Sequence, residues 1–472
     1  MLREIDIQPN DRVVFIHIPK TAGITFSTIL HPLLAGLPWC PVILPQDLIQ
    51  IPYEEILQYK LFTGHFYFRL IKKLFPSGFL FMTFLREPIS RTISHYEYLI
   101  RQETFGKFDY ANYELTLAKK MSLREFVGNN QLHIALELID LQTKFLGGAV
   151  GSKAPITEEK AESSLEEYIQ KVSKEMNLEP IPVEEYRFAN KENLEKAKRG
   201  LEQAAFFGIT ERFQDSLFLM SFTFGWPPVL DSLRLNHKPK NEHTQEEPEG
   251  ETLELIKSKV SLDLELYQFG QTLFEQRFHE MTEFLVKEYA GPAITDSDQS
   301  LKKEVLYELL QKHYEVRRNR RNQKLLKAIG QIYLYSPAEH IEGNFGWHTV
   351  EISDTHGAMV WSGPGLESGF DLPCPRGKNI QISFYILMTI KSEIIQKLSL
   401  KVNDIPITLQ YQNDSQSAFM FTGKLPANAI SGPFLRLVFS VPYTIAPCDI
   451  TLDNKDSRLL GFLLNWLKLE AQ

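Results

Sequence analysis

Residues 13–25 constrain the fold of this chain more than any other segment. Val13–Ile18 is an almost unbroken β-rich apolar run, typical of a central parallel strand that is covered on both faces. Pro19 ends the strand, a tight turn follows through Gly23, and a helix is predicted over Ile24–Leu34. A strand, a small-residue turn and a helix start together make an anion site, because unpaired N–H groups and the helix dipole favour negative charge there. The segment therefore predicts a phosphate-binding loop.

The side chains of this loop add to the anion hypothesis. Lys20 supplies a mobile cation, and Thr21 and Thr25 supply hydroxyls. The common nucleotide loop has the pattern Gly-x-x-x-x-Gly-Lys-Ser/Thr, whereas here the lysine precedes the glycine. On this segment alone, a solvated loop without a ligand remains the alternative.

Composition limits the classes of protein and the compartment. The formal net charge of −8 argues against general nucleic-acid binding, so an anion site must be a local positive spot. Cys40, Cys374 and Cys448 lie far apart, and such a sparse set favours a reducing compartment. The N-terminus lacks a signal-peptide pattern, and no apolar run reaches the roughly 18 residues of a membrane helix. We expect a cytoplasmic protein without a transmembrane segment.

Further strand and helix patterns follow the loop. Leu61–Thr63 and Phe79–Leu85 are β-rich runs, and Phe206–Ile209 is a shorter candidate for a fourth strand. Strands that alternate with helices predict an α/β fold with a parallel sheet flanked by helices. The helical predictions are Pro88 to about Gln102, Thr157–Glu175, Lys191–Gln203, a segment ending near Phe224, Leu253–Tyr289 and Leu301–Ala328, with a polar loop over 234–250.

The pattern changes after Gln331. Short β-rich runs alternate with turn residues to the end of the chain, which predicts a C-terminal all-β sandwich domain. The predicted domains are residues 1–290, a linker and basic helix over 291–330, and the sandwich over 331–472. Trp347 and Trp361 of this region are candidates for stacking on sugars, although burial in the sandwich core is the favoured alternative.

The third strand strengthens the anion hypothesis. It ends at Arg86, and the helix that follows carries Ser94 two turns in. The carboxyl ends of neighbouring parallel strands lie at one edge of the sheet, where open α/β folds bind their ligands. Two strand ends with cations and hydroxyls predict a cleft for a ligand with two separate anionic groups.

These motifs resemble those of the family-2 sulfotransferases, a group that includes carbohydrate sulfotransferases. Pro19-Lys-Thr-Ala-Gly-Ile-Thr25 resembles their 5′-phosphosulfate loop, and Arg86-Glu-Pro-Ile-Ser-Arg-Thr-Ile-Ser94 resembles their 3′-phosphate element. Thr63-Gly-His-Phe66 is similar to the segment with their catalytic histidine. Residues 208–216 and 263–267 resemble later landmarks, and the C-terminal region loosely resembles a β-sandwich module of bacterial glycan-modifying enzymes.

The resemblance implies a P-loop-like fold, a donor and a set of roles. The donor would be PAPS, 3′-phosphoadenosine 5′-phosphosulfate. Lys20 would stabilise charge on the leaving group, and His65 would be the general base, a task that suits an imidazole. Arg86 and Ser94 would hold the 3′-phosphate. The donor-binding residues implied are Pro19, Lys20, Thr21, Ala22, Gly23, Ile24, Thr25, Arg86 and Ser94.

Polar residues in and near these motifs have interpretations other than donor binding or catalysis. For His65, the alternative to the general base is a packing residue at the end of a strand. Arg91 either supports the 3′-phosphate site or pairs with an acid on the helix surface. We expect His17 to be a hydrogen-bonded core histidine, His95 to lie on a helix surface, and Glu211 to be structural.

The predicted activity is transfer of a sulfuryl group from PAPS to a hydroxyl of a carbohydrate or glycolipid by in-line displacement. Such a reaction depends on positioning and charge stabilisation and needs no metal. One alternative is a P-loop kinase, which would place a Mg²⁺-holding aspartate at a strand end. The other is a non-catalytic protein that binds a nucleotide or a glycan.

Overall fold

The computed structural model describes all residues except 1, 9–10, 35–36, 49, 103–109, 131, 149–187, 231–247, 291–301, 329, 338–343, 354, 376–378, 416, 431 and 452–453. The chain forms two compact units, one of residues 1–28, 40–57 and 62–314, and one of residues 29–39, 58–61 and 315–472. The predicted helix 157–175, the predicted linker 291–300 and most of the predicted loop 234–250 lie outside the described residues.

The first unit is built on a four-stranded sheet. The strands are β1 (Arg12–Ile16), β2 (Leu61–Gly64), β3 (Phe79–Leu85) and β4 (Phe206–Ile209), in the order β2-β1-β3-β4. β1 pairs with β3 in parallel, as does β3 with β4. The predicted strands, including the fourth, and the α/β class of this unit are confirmed.

Helices connect the strands of this sheet and follow them along the chain. Fourteen precede the C-terminal β-rich region among the described residues: α1 (Gly23–Leu33), α2 (Pro45–Leu48), α3 (Tyr53–Ile56), α4 (Phe68–Leu74), α5 (Pro88–Arg101), α6 (Tyr110–Lys120), α7 (Leu123–Gly128), α8 (Leu132–Leu138), α9 (Leu141–Gly147), α10 (Lys191–Gln203), α11 (Phe213–Phe224), α12 (Gly250–Lys259), α13 (Ser261–Tyr289) and α14 (Lys303–Ala328). None of the described helices is both long and apolar enough to cross a bilayer.

Aromatic side chains fasten α1 to the sheet. The ring of Phe26 on α1 lies 4.7 Å from that of Phe15 on β1 and 4.8 Å from that of Phe84 on β3, measured between centroids. All three side chains are fully buried. Tilted aromatic pairs at this distance add to the hydrophobic gain of burial. This packing fixes where α1 begins, and therefore the loop before it.

The second unit contains two antiparallel sheets. The strands are β5 (Ile332–Tyr335), β6 (Glu351–Ser353), β7 (Gly357–Trp361), β8 (Glu367–Pro373), β9 (Ile380–Thr389), β10 (Ser399–Val402), β11 (Ile405–Ile407), β12 (Leu409–Asn413), β13 (Phe419–Leu425), β14 (Phe434–Ser440) and β15 (Phe462–Ala471), and a short helix α15 (Glu393–Lys397) precedes β10. One sheet has the order β11-β10-β14-β8, and the other has the order β12-β13-β9-β15-β7-β6, with β5 paired to β15.

The two sheets share one core, as the sandwich prediction requires. Phe439 on β14 lies 5.2 Å from Phe384 on β9, centroid to centroid. Trp347 stacks on Phe370 at 5.2 Å and donates its indole N–H to the Gly369 carbonyl at 3.0 Å. Trp361 is only 7% exposed. Both tryptophans therefore pack within the protein, as the favoured alternative to sugar stacking predicted.

Candidate active site

The segment between β1 and α1 passes twice through left-handed backbone. Lys20 has a φ of 70° and Ala22 a φ of 64°, and Thr21 between them has the ordinary hand. When successive residues alternate between left-handed and right-handed backbone conformations, their N–H groups point into one concavity. This is a recurring anion-binding arrangement. α1 begins at Gly23, so the unpaired N–H groups of its first turn add to the same positive region.

The threonines and apolar residues of the loop differ in exposure. Thr21 is fully buried, and its hydroxyl donates to the Ile18 carbonyl at 2.9 Å, so this side chain holds the loop together. Thr25 is buried, whereas Ile24 is 58% exposed. Pro19 is half-buried. The chemical groups that this loop offers to an anion are therefore mainly main-chain N–H groups and the ammonium of Lys20.

Gly23 is required by the close approach of His17. A Cβ atom at position 23 would lie 1.9 Å from Cδ2 of the His17 ring, far inside contact distance. The ring therefore fills the space beneath the start of α1. Burial above all, and then the nearby charges of His65 and Lys20, lowers the pKa of His17 to about 3. His17 is a neutral packing residue, as its prediction as a core histidine requires, and the hydrogen bond that was also predicted for it stays a prediction.

His65 lies directly after β2 and beside His17. The two rings are 4.6 Å apart between centroids, and Nδ1 of His65 lies 2.7 Å from the main-chain oxygen of His17. A carbonyl oxygen can only accept, so neutral His65 carries its proton on Nδ1 and keeps the lone pair on Nε2. The main-chain N–H of His65 donates to the Ile43 carbonyl at 2.7 Å. The ring is thus held in the tautomer in which Nε2 can accept a proton.

The two predicted anion elements meet at Lys20 and Arg86. Nη1 of Arg86 donates to the Lys20 carbonyl at 3.0 Å, which joins the ends of β1 and β3. Nζ of Lys20 lies 4.1 Å from the ring centre of Tyr98 on α5. Burial, followed by the positive charges of Arg101 and Arg86, lowers the pKa of Lys20 to about 8. Two cations are therefore held close together, which favours an anionic ligand.

Arg86 has an unused donor, and α5 presents Ser94 nearby in sequence. The Nε of Arg86 is buried and makes no hydrogen bond within the described residues. Glu87 caps α5 by accepting from the N–H groups of Ile89 and Ser90. Ser94 lies half-buried on the same helix. The orphaned donor indicates that an acceptor group belongs beside Arg86.

On α5, one of the two alternatives for Arg91 is excluded, and the prediction for His95 is wrong. Arg91 is fully buried and its Nη2 donates to the main-chain oxygen of Glu137 at 3.0 Å, so it is no surface ion pair. His95 is 6% exposed, with Nε2 3.0 Å from the Glu114 carboxylate, so it does not lie on a helix surface. Both side chains face other helices: Arg91 contacts the end of α8, and His95 contacts α6. The periodicity of the sequence does not show that these helices pack on α5.

Glu211 has the structural role that was expected. Its Oε1 accepts from the Glu87 N–H at 3.1 Å, and its Oε2 accepts from the Tyr267 hydroxyl at 2.8 Å. Gln142 was missed, although it makes two hydrogen bonds to the main chain of Arg86. Nothing in the local pattern around Gln142 indicates such a contact. Among the described residues, no group of His, Cys, Asp and Glu side chains is arranged to hold a metal ion.

Comparisons with known proteins agree with these motifs. The sulfotransferase family model matches residues 3–145, a range that contains residues 19–25, His65, Arg86 and Ser94. Heparan-sulfate 6-O-sulfotransferase 2 of Gallus gallus is 23% identical over 372 residues, which are 72% of this chain and 79% of that protein. The protein of the same name from Danio rerio is 36% identical over 85 residues, 18% of each chain. The resemblance to family-2 sulfotransferases is thereby confirmed.

A solved xylan-binding module is also similar to part of the chain. It is 9% identical, and the similarity covers 30% of this chain and 95% of the module. The TM-score is 0.17, which is too low to support any conclusion about fold or function.

The contact between Gly23 and His17 predicts the effect of a single methyl group. Gly23→Ala should lower the free energy of unfolding by about 1–3 kcal/mol, because the ring or the helix start must shift. His17→Ala in the same chain should restore part of this loss, since the two changes share one space. Urea unfolding measures both.

Gly200 in α10 provides the matched control. A Cβ there meets nothing closer than the Leu146 carbonyl at 3.9 Å. Gly200→Ala should therefore be neutral or stabilising by about 0.5–1 kcal/mol. Equal stability losses in Gly23→Ala with and without His17 would contradict the proposed clash.

Proposed function

We propose that this chain, a PAPS-dependent sulfotransferase with a family match over residues 3–145, transfers a sulfuryl group to a hydroxyl of a carbohydrate or glycolipid. The observation that carries the proposal is the hydrogen bond between Arg86 and the Lys20 carbonyl, which brings two anion-binding elements together. His65 follows the neighbouring strand β2. Cations and a base therefore share one edge of a P-loop-like parallel sheet.

The residues present fit a donor with two separate anionic groups. The left-handed turns at Lys20 and Ala22 form a concavity for a 5′-phosphosulfate, with residues 19–25 as its lining. The orphaned Nε of Arg86 suits a second phosphate, with Ser94 as a further donor. PAPS supplies an activated sulfuryl group whose departure from the phosphate leaves negative charge behind.

Lys20 stabilises that developing charge. A cation already in place at the leaving oxygen costs no reorganisation during the reaction, so it lowers the transition state more than the ground state. The main-chain conformation of Lys20 is set by the left-handed turn and by the hydrogen bond from Arg86. The main chain of Lys20 is therefore fixed, and the flexible side chain can place the ammonium at the leaving oxygen.

His65 removes the proton from the acceptor hydroxyl. Its Nδ1 is engaged by the His17 carbonyl, so Nε2 is the atom that accepts the proton. A positioned base of this kind contributes about 10²–10⁴-fold to the rate. His17 cannot substitute for it, since burial keeps the pKa of His17 near 3 and its ring lies against Gly23.

A carbohydrate acceptor is supported by the name of the relatives, heparan-sulfate 6-O-sulfotransferase 2. A glycolipid carries the same hydroxyl chemistry and remains within the proposal.

The three cysteines are free thiols, which supports a reducing, cytoplasmic location that cell fractionation would check.

Ligand binding without turnover tests the donor assignment. Isothermal calorimetry should show tight binding of PAP, the 3′,5′-bisphosphate product, in the absence of Mg²⁺. AMP should bind more weakly, because it lacks the group assigned to Arg86. Preference for Mg-ATP over PAP would instead support the kinase alternative and overturn the proposal.

Replacement of His65 tests the base. His65→Ala should lower kcat by about 10²–10⁴-fold, with PAP affinity nearly unchanged, because the side chain acts on the acceptor. His279→Ala is the matched control, since that histidine is 72% exposed on α13. Wild-type turnover in His65→Ala would remove His65 from the role of base.

The lowered pKa of Lys20 predicts a pH dependence. Lys20 acts in its protonated form, so kcat/KM for PAPS should fall as the pH rises through about 8, the pKa of this lysine in the free enzyme. Lys20→Arg keeps a charge at high pH and should remove this alkaline fall, even where overall activity is reduced. An alkaline fall at the same pH in both enzymes would assign it to another group.

A further inference from the structure

The peptide between Arg86 and Glu87 is held by two side chains that are distant in sequence. Oε1 of Gln142 accepts from the Arg86 N–H at 2.9 Å, and Nε2 of Gln142 donates to the Arg86 carbonyl at 2.8 Å. Oε1 of Glu211 accepts from the Glu87 N–H at 3.1 Å. Three consecutive main-chain groups at the end of β3 are therefore fixed from outside the strand–helix turn.

Gln142 is itself fixed at the start of α9. Its side chain is only 1% exposed. The carboxylate of Asp263 accepts from the N–H groups of Gln142 at 3.1 Å and of Thr143 at 2.7 Å. A carboxylate in this position caps the helix and complements its dipole. The rotational position of α9, and with it the direction of Gln142, is set by Asp263.

The capping is reciprocal. The carboxylate of Asp140, just before α9, accepts from the N–H groups of Leu262 at 2.8 Å and Asp263 at 3.0 Å at the start of α13. Each helix thus caps the other through a buried aspartate. This arrangement leaves little freedom for α9 to turn relative to α13.

Glu211 is fixed by the same helix. The Tyr267 hydroxyl donates to Oε2 of Glu211 at 2.8 Å. Burial, and then the neighbouring Glu211 charge, raises the pKa of Tyr267, so the hydroxyl keeps its proton and remains a donor. Tyr267 lies four residues after Asp263, and residues at this spacing share a helix face. One face of α13 therefore anchors both side chains that hold the Arg86–Glu87 peptide.

The position of the Arg86 guanidinium depends on this peptide. Its Nη1 reaches the Lys20 carbonyl, and its buried Nε is left without a partner among the described residues. A long side chain binds a phosphate well only if its Cα is held, because small displacements of a ligand group reduce binding and rate strongly. Residues that never touch the donor can therefore determine how well it is recognised.

We propose that Gln142 and Glu211, anchored by Asp263 and Tyr267 of α13, are positioning residues that set the preference of this enzyme for a donor with a 3′-phosphate. The inference rests on the proposed function, which assigns that phosphate to Arg86. It also gives a role to two sequence landmarks, residues 208–216 and 263–267, that the transfer reaction itself does not use.

The decisive quantity is the ratio of the dissociation constants of AMP and PAP, since the two ligands differ only in the 3′-phosphate. Arg86→Ala should reduce this ratio most. Gln142→Ala should reduce it about tenfold, mainly through weaker PAP binding, as expected for one lost positioning contact. The variant that combines Arg86→Ala with Gln142→Ala should have the same ratio as Arg86→Ala alone, because Gln142 acts only through Arg86. Calorimetry on this chain measures all three.

Two additional variants control for general damage. Gln214→Ala removes a glutamine that donates to the Val229 carbonyl on another part of the first unit, and it should leave the ratio unchanged. Tyr267→Phe removes a single hydroxyl and should lower the ratio about two- to threefold while the melting temperature stays near that of the wild type. If Gln142→Ala fails to fold, the ratio measured in Tyr267→Phe tests the positioning role in its place.

The outcomes separate the inference from the proposed function. An unchanged ratio in Arg86→Ala means that the 3′-phosphate assignment is wrong, and the inference fails with it. A reduced ratio in Arg86→Ala with an unchanged ratio in Gln142→Ala and Tyr267→Phe overturns the positioning role alone. Equal losses of AMP and PAP affinity in Gln142→Ala also overturn it, because they indicate a purely structural contribution.

Discussion

The parallel pairing of β1 with β3 is the constraint on which the site depends. It places the loop after Ile16 and the turn after Leu85 at the same edge of the sheet, where Arg86 can donate to the Lys20 carbonyl. Lys20 is then partly buried, and this burial, followed by the positive charges of Arg101 and Arg86, lowers the pKa of Lys20 to about 8. A ligand with negative charge at both positions relieves the repulsion. The fold thus concentrates positive charge at this edge of the sheet, which is the electrostatic basis of the proposed donor site.

The parts of the fold that were predicted from sequence are those with local signals. The loop 19–25 is marked by a proline, a glycine and an apolar strand before them, and β3 is a seven-residue apolar run. The C-terminal β-rich region is marked by turn residues between short strands. Such signals depend on backbone preferences within a few residues, so tertiary packing did not reverse them.

The missed features depend on contacts between distant parts of the chain. His95 was expected at a surface, and Arg91 had a surface ion pair as one of two alternatives, because α5 alone does not reveal that α6 and the end of α8 cover it. Gln142 contacts Arg86 across 56 residues, and Asp263 caps α9 across more than a hundred. A glutamine in a short helix has the same local pattern whether its amide faces water or a strand end. Only the path of the chain distinguishes the two.

The histidine pair shows how packing and chemistry are combined at one point. His17 uses its ring to support the start of α1 and its carbonyl to orient His65. Because burial holds the pKa of His17 near 3, the ring of His17 stays neutral beside His65. Nδ1 of His65 is engaged by the His17 carbonyl, so Nε2 is the ring nitrogen left to exchange a proton with a ligand. The role proposed for His65 as a base therefore depends on Nε2, and the orientation of Nε2 depends on the main chain of His17.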